Sequence, residues 1–172
     1  MIGAAVGAVG GLGGGWLSVL GQGRRQRQQL LGERERWRYE MRRDAYNACI
    51  ASTKRLSFAW RRAADQLRDP NSTSGDWHDR FGETHEAWVE FSGTVAAVSV
   101  AGPRAAADAV DRLRMAMYDW DRIGTLWYHE AIRQGNGRLD DFDTRFKAAA
   151  GAKQSPDRVF LEVARQALGT EV

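Results

Sequence analysis

Apolar side chains recur along most of the chain at intervals of three and four residues, the spacing of one face of an α-helix. The first stripe comprises Ala45, Cys49, Ser52, Leu56, Ala59, Ala63 and Leu67, with Tyr46, Ile50 and Trp60 beside it. The second comprises Trp77, Phe81, Thr84, Trp88, Phe91, Val95 and Val98, and the third Ala106, Val110, Leu113, Met117, Trp120, Gly124, Trp127 and Ala131. The three stripes predict three amphipathic helices.

Turn-forming residues separate the stripes. The segment "RDPNSTSGD" ends the first helix, "AGP" ends the second and "QGNG" ends the third. Pro103 suits the first turn of the third helix, because its missing N–H would have no partner there. Asn136 and Gly137 are expected to form the turn after the third helix.

The last part of the chain predicts one weak and one clear helix. Within residues 138–152, a short amphipathic pattern is formed by Leu139, Phe142, Phe146 and Ala149. In "SPDRVFLEVARQALG", Ser155 is expected to cap a helix that has Pro156 at its first position and ends at Gly169. Since no strand-like alternation occurs, residues 44–172 predict an all-α, up-down antiparallel four-helix bundle with a long first helix.

The opening segment, residues 1–23, carries no charged side chain. As a helix, Ile2 to Leu20 would span about 28 Å, close to the thickness of a bilayer core, so we predict a single transmembrane anchor. A disordered or wrongly assigned leader and a cleaved signal peptide are the alternatives. The spacing of Gly3, Gly7, Gly11 and Gly15 favours close helix packing between copies, and hence a homo-oligomer.

Positive charge is concentrated directly after this opening. Residues 24–43 contain eight arginines and three glutamates, a balance of +5 against +3 for the whole chain. We predict a basic juxtamembrane stalk helix in which Arg24, Arg25, Arg27 and Arg34 bind anionic lipid, while Trp16 and Trp37 lie at the membrane interface. Packing of Trp37 against the third or fourth helix is the alternative. The positive-inside rule places the N-terminus outside and the C-terminal domain in the cytoplasm. Nucleic acid is not expected as a partner, because the bases are not spread over the bundle.

Catalytic and metal-binding motifs are missing from the sequence. The single cysteine, Cys49, is expected to be a small buried core residue. The histidines His78, His85 and His129 fit neither HExxH nor the Glu-x-x-His pattern of di-iron bundles, so solvated or helix-capping roles are expected. No GxSxG occurs, and the glycines of residues 3–15 follow no strand. We therefore predict no enzyme, no cofactor and no metal site.

Three segments carry a resemblance to known proteins: "ERERWRYEMRRDAY", "VAGPRAAADAV" and "VFLEVARQALG". With the apolar opening and the excess of arginine over lysine, which is typical of high-GC bacterial coding, the chain resembles small membrane-anchored helical-bundle proteins of high-GC bacteria. That group has no known activity. The resemblance implies an anchor followed by a bundle, at the bacterial inner membrane.

Three functional hypotheses fit these features, of which the third, an enzyme whose site lies between helices, is disfavoured by the missing motifs. The first is a single-pass, non-enzymatic module at the cytoplasmic face that self-assembles or binds an unknown cytoplasmic protein. The second is a membrane-perturbing effector that oligomerises through its glycine-rich span. Ser18 and Gln22 are the only polar side chains before Arg24, which disfavours a wide water-filled pore.

Overall fold

The computed structural model describes residues 14–169 and, within them, the side chains of residues 32–169. The described chain forms five helices and no strand: α1 (Gly14–Arg68), α2 (Ser74–Ala101), α3 (Arg104–Gln134), α4 (Asp140–Ala152) and α5 (Gln154–Ala167). The predicted all-α bundle is thus confirmed. The chain divides into two units between Glu40 and Met41, and the second unit is the bundle.

The helix ends follow local chemistry, with one wrong prediction. Thr73 caps α2 in a capping box, since its side chain accepts from the Asp76 N–H and the Asp76 carboxylate accepts from the Thr73 N–H. Gly135 ends α3 in the left-handed conformation with φ of 63°. Ser155 does not cap α5, because the helix begins at Gln154, two residues before the predicted first position at Pro156. Lys153 occupies the cap position and makes no side-chain hydrogen bond there. Ser155 is not at the cap position because α4 is followed by α5 with only Lys153 between them.

Helices α4 and α5 act as one arm that runs antiparallel to α1. Ring contacts join Trp60 to Phe146 and Tyr46 to Phe160, with centroids 6.0 and 6.2 Å apart. Fourteen residues separate Tyr46 from Trp60, and fourteen separate Phe146 from Phe160. Equal helical rise along both sides keeps the contacts in register. Pro156 lacks the N–H that would continue the ladder, which explains the break near Lys153.

The other contacts give the up-down order of the bundle. Helix α2 runs back along α1, as shown by a hydrogen bond between the Ser52 and Thr94 hydroxyls (2.7 Å) and by the ion pair of Arg55 with Glu90 (2.6 Å). Helix α3 returns along α2, since Phe81 stacks on Tyr128 with ring centroids 4.1 Å apart and Trp88 contacts the Tyr118 ring at 6.2 Å. The predicted antiparallel topology is therefore confirmed for the bundle.

Aromatic side chains from three of the four arms fill one end of the core. Trp60, Trp120 and Trp127 are at most 1% exposed, and each contacts the ring of Phe146. The Trp60 indole N–H donates to Asp121 Oδ1 (2.9 Å), and the Trp127 N–H donates to the Gly137 carbonyl (2.8 Å). The tryptophans of the sequence stripes are thus core residues, with Trp77 buried and Trp88 partly buried.

Candidate interaction surface

An open apolar groove of about 600 Å³ lies between α1 and α2 at one end of the bundle. It is lined by Met41, Asp44, Ala45, Ala48, Ala96, Ala97, Val100 and Ala101. The alanine side chains create the groove because they leave the space between the two helices unfilled. Met41 and Val100 are 38% and 84% exposed, so the groove offers apolar surface to a partner. We refer to it as the α1–α2 groove.

The apolar character of the groove follows from the sequence of α2. From Phe91 to Pro103 the chain carries no charged residue, although much of this segment faces solvent. Asp44 is the one charged residue of the groove lining, and its carboxylate accepts a hydrogen bond from Arg43 Nη2 at 3.1 Å. Solvent-facing helix surfaces are normally rich in charge, so this segment departs from the usual pattern.

The same outer face becomes charged toward the other end of α1. Arg55 pairs with Glu90, and Arg62 pairs with Glu83. Phe58 lies between them, 60% exposed, with the Arg62 guanidinium 4.9 Å from its ring centroid. An exposed phenylalanine at the rim of an ion-pair cluster is typical of an interface anchor surrounded by polar contacts.

One solvent-facing stripe on α1 connects the two halves of this face. Its members are spaced by three and four residues and are all exposed: Met41, Asp44, Ala48, Ala51, Arg55 and Phe58. Small residues occupy the centre, opposite charges lie on either side of them, and large apolar side chains lie at both ends. We call this set the α1 stripe.

The titratable groups elsewhere in the described bundle include one cysteine and three histidines. Cys49 is fully buried, and burial raises the pKa of its thiol to about 11, so it is a core residue as predicted rather than a nucleophile. His78 is exposed, and its Nδ1 lies 2.9 Å from the Tyr128 hydroxyl. Within the described residues, no group of three or more His, Cys, Asp or Glu side chains is arranged to hold a metal ion.

Most residues predicted for the anchor and stalk fall outside what the structure describes. Gly3, Gly7 and Gly11 lie outside the described residues, while Gly15, Trp16, Arg24, Arg25 and Arg27 lie in the first part of α1, where only the helical backbone is described. Arg34 is exposed, and Trp37 is 61% exposed. Across the described stretch, no helix combines the length and apolar character that a membrane crossing requires.

Comparison of the chain with protein-family models, with curated proteins and with solved structures found no significant match.

The groove was not predicted from the sequence, although one signal for it exists. No charged residue occurs from Phe91 to Pro103, although a surface helix normally carries charged residues at the positions that face solvent. Its outward positions, among them Ala96, Ala97 and Val100, mark an apolar face that the bundle does not cover.

Proposed function

We propose that this chain is a non-enzymatic self-assembly module. Two copies pair through the α1 stripe and the α1–α2 groove, at the cytoplasmic face of a membrane to which residues 1–40 attach each bundle. The observation that carries the proposal is the self-complementarity of the α1 stripe.

A two-fold interface brings the same surface of both copies together, so each residue must suit its symmetry-related partner. With the axis midway between Ala48 and Ala51, an antiparallel pair of α1 helices places Asp44 of one copy opposite Arg55 of the other. The same rotation places Ala48 opposite Ala51, where small side chains allow the helices to approach. It also places Met41 opposite Phe58.

The groove supplies the space that the largest of these side chains needs. Phe58 of one copy would enter the groove of the other between Met41 and Val100, both of which are exposed in the single chain. Burial of one phenylalanine side chain contributes about 1.5–3 kcal/mol, and the symmetry supplies two such anchors. The Arg55 side chain is 65% exposed despite its ion pair with Glu90, so it retains N–H groups for Asp44 of the second copy.

Replacing Ala48 by glutamate tests this assembly in the full-length chain in a non-ionic detergent. Because the variant buries an unpaired charge at the centre of the pair, we expect the dimer dissociation constant from sedimentation equilibrium to rise at least ~100-fold. Ala148→Glu is the matched control, since Ala148 is an exposed alanine on α4, and it should behave as wild type. A monomeric wild type at tens of micromolar, or an unchanged constant in Ala48→Glu, would contradict the proposal.

The glycine positions provide a second comparison. If the Gly11→Leu, Gly15→Leu double variant is monomeric while Ala48→Glu still dimerises, assembly depends on the opening segment and the groove has no part in it. If the glycine variant dimerises as wild type and Ala48→Glu does not, the bundle surface carries the assembly.

Membrane attachment is supported by the uncharged opening and by the arginines that follow it. Each arginine near an anionic leaflet contributes about 1 kcal/mol. A triple substitution to Gln at Arg24, Arg25 and Arg27 should therefore weaken binding of the full-length chain to phosphatidylglycerol vesicles at low salt by ~100-fold. A triple change to Gln at Arg112, Arg122 and Arg158, which are exposed on the bundle, alters the net charge equally and should have little effect. Transfer of the protein from vesicles to duplex DNA at matched charge would overturn the lipid assignment.

A further inference from the structure

A second cavity, distinct from the α1–α2 groove, opens between α1, α3 and α4 and has a volume of about 340 Å³. Trp120 and Phe146 form its apolar wall, while its charged lining consists of three cations, Arg61, Arg68 and Lys147, and one carboxylate, Asp65. We call it the α1–α4 pocket. Its volume suits a small molecule or one polar head group rather than a folded partner.

Lys153 is the least expected residue beside this pocket. It is only 7% exposed, and its Nζ lies 5.5 Å from the ring centroid of Trp120, a residue of the pocket wall. Burial lowers the pKa of the Lys153 ammonium; Asp157 opposes this shift, and the Arg61 guanidinium adds to it. A buried lysine is normally paired with a carboxylate. In the described chain Lys153 has neither an ion pair nor a hydrogen bond through its ammonium group.

The other cations of the pocket divide into a paired and an unpaired set. Arg68 pairs with Asp65 (2.8 Å) and Asp143 (2.6 Å), and Lys147 also pairs with Asp143 (2.6 Å). Arg61, like Lys153, has no carboxylate within ion-pair distance among the described residues. Arg61 lines the pocket and Lys153 lies beside it, so two positive charges at the pocket have no carboxylate of the described chain in an ion pair.

A neutral donor without a partner lies in the same wall. Trp120 is fully buried, yet its indole Nε1 has no hydrogen-bond partner. The great majority of buried N–H groups in proteins have a hydrogen-bond partner; among the described indoles Trp77 Nε1 also lacks one, but Trp77 does not line this pocket. Two uncompensated cations and a free N–H donor share one chemical requirement, which is an oxygen acceptor with negative charge.

We propose that the α1–α4 pocket binds a phosphate-bearing small anion, with Arg61 and Lys153 as its cationic partners and the Trp120 N–H as a neutral donor. Phe146 and Ala150 give the pocket an apolar wall against which a non-polar substituent on the phosphate packs. The site is independent of the self-assembly surface, since no residue lines both the pocket and the groove.

Binding is measured on the full-length chain by calorimetry with inorganic phosphate and with phenyl phosphate, at ionic strength matched with sodium chloride. We expect saturable binding, tighter for phenyl phosphate, with a shift of the Trp120 indole resonance in a ¹⁵N–¹H spectrum. Arg61→Gln should weaken binding at least ~10-fold while preserving the fold, because Arg61 is exposed. Arg112→Gln, an exposed arginine on α3 without an ion pair among the described residues, should leave the dissociation constant unchanged.

Lys153→Met provides a second variant that keeps the aliphatic packing and removes the charge. It should lose binding by at least ~10-fold as well; where it fails to fold, Arg61→Gln carries the test alone. A separate experiment uses phosphatidylglycerol vesicles. If the chain binds vesicles in a manner that depends on Arg61 but does not bind the free phosphates, the source of the phosphate is a lipid head group. The proposal would be overturned if neither free phosphate binds saturably and vesicle binding is unchanged in Arg61→Gln, or if Arg61→Gln and Arg112→Gln weaken phosphate binding equally.

Discussion

The Trp60→Ala variant should lose about 3–5 kcal/mol of unfolding free energy, the usual cost of truncating a fully packed tryptophan. The Trp60 side chain is 1% exposed and contacts the rings of Phe81 and Phe146, which come from two other arms of the bundle. Its indole N–H also donates to Asp121, whose pKa is raised by burial, so the truncation leaves a partly buried carboxyl without its donor.

Urea unfolding of the full-length chain, followed by far-ultraviolet circular dichroism, measures this loss. Trp37→Ala removes the same side chain from an exposed position and should change the unfolding free energy by no more than about 0.5 kcal/mol. Equal effects of the two substitutions would show that Trp60 does not hold the arms together.

A second large effect is expected at Gly124, where α3 passes closest to Trp60. A Cβ atom at this position would lie 2.6 Å from both Cε3 and Cη2 of the Trp60 ring. Overpacking of a core typically costs about 1–3 kcal/mol, which exceeds the gain of about 1 kcal/mol from replacing a helical glycine by alanine. Gly124→Ala should therefore lower the unfolding free energy.

Two comparisons separate overpacking from other effects of the Gly124 substitution. At Gly82 in α2, an added Cβ would meet nothing within 4 Å, so Gly82→Ala should stabilise the chain by about 0.5–1 kcal/mol. In the Trp60→Ala background, Gly124→Ala should cost less than it does in wild type, because the ring it clashes with is gone. Full additivity of the two substitutions would show that Gly124 and Trp60 are not coupled.

Much of the bundle could be predicted from sequence, because its helices bury regular stripes. Every residue of the predicted third stripe is buried, including Gly124, which periodicity alone assigns to the buried face. The close approach itself was beyond sequence reasoning, since periodicity describes one helix at a time and does not identify the partner. The α4–α5 arm was less predictable, because both helices are short. Lys153, and not the predicted Ser155, occupies the cap position between them.

The candidate sites were harder to predict than the fold for a related reason. Lys153 lies in a weakly amphipathic segment, where a lysine is expected to face solvent, and its burial depends on the position of Trp120 in another helix. The α1 stripe is visible in the sequence as residues spaced by three and four. Its meaning depends on which face of α1 the other arms leave exposed, and the order of the arms decides that.

Charge reversal at Asp44 and Arg55 tests the proposed two-fold pairing most directly. Asp44→Arg and Arg55→Asp should each raise the dimer dissociation constant ~10-fold or more, because each places like charges opposite one another. The double variant restores opposite charges across the two-fold axis, and its constant should return to within ~3-fold of wild type. Unfolding free energies measured in parallel account for the Arg55–Glu90 ion pair that Arg55→Asp removes. For assembly through α1, the dimer dissociation constant of the double variant should be close to that of wild type. A dissociation constant raised by the product of the two single-variant effects would contradict this assembly.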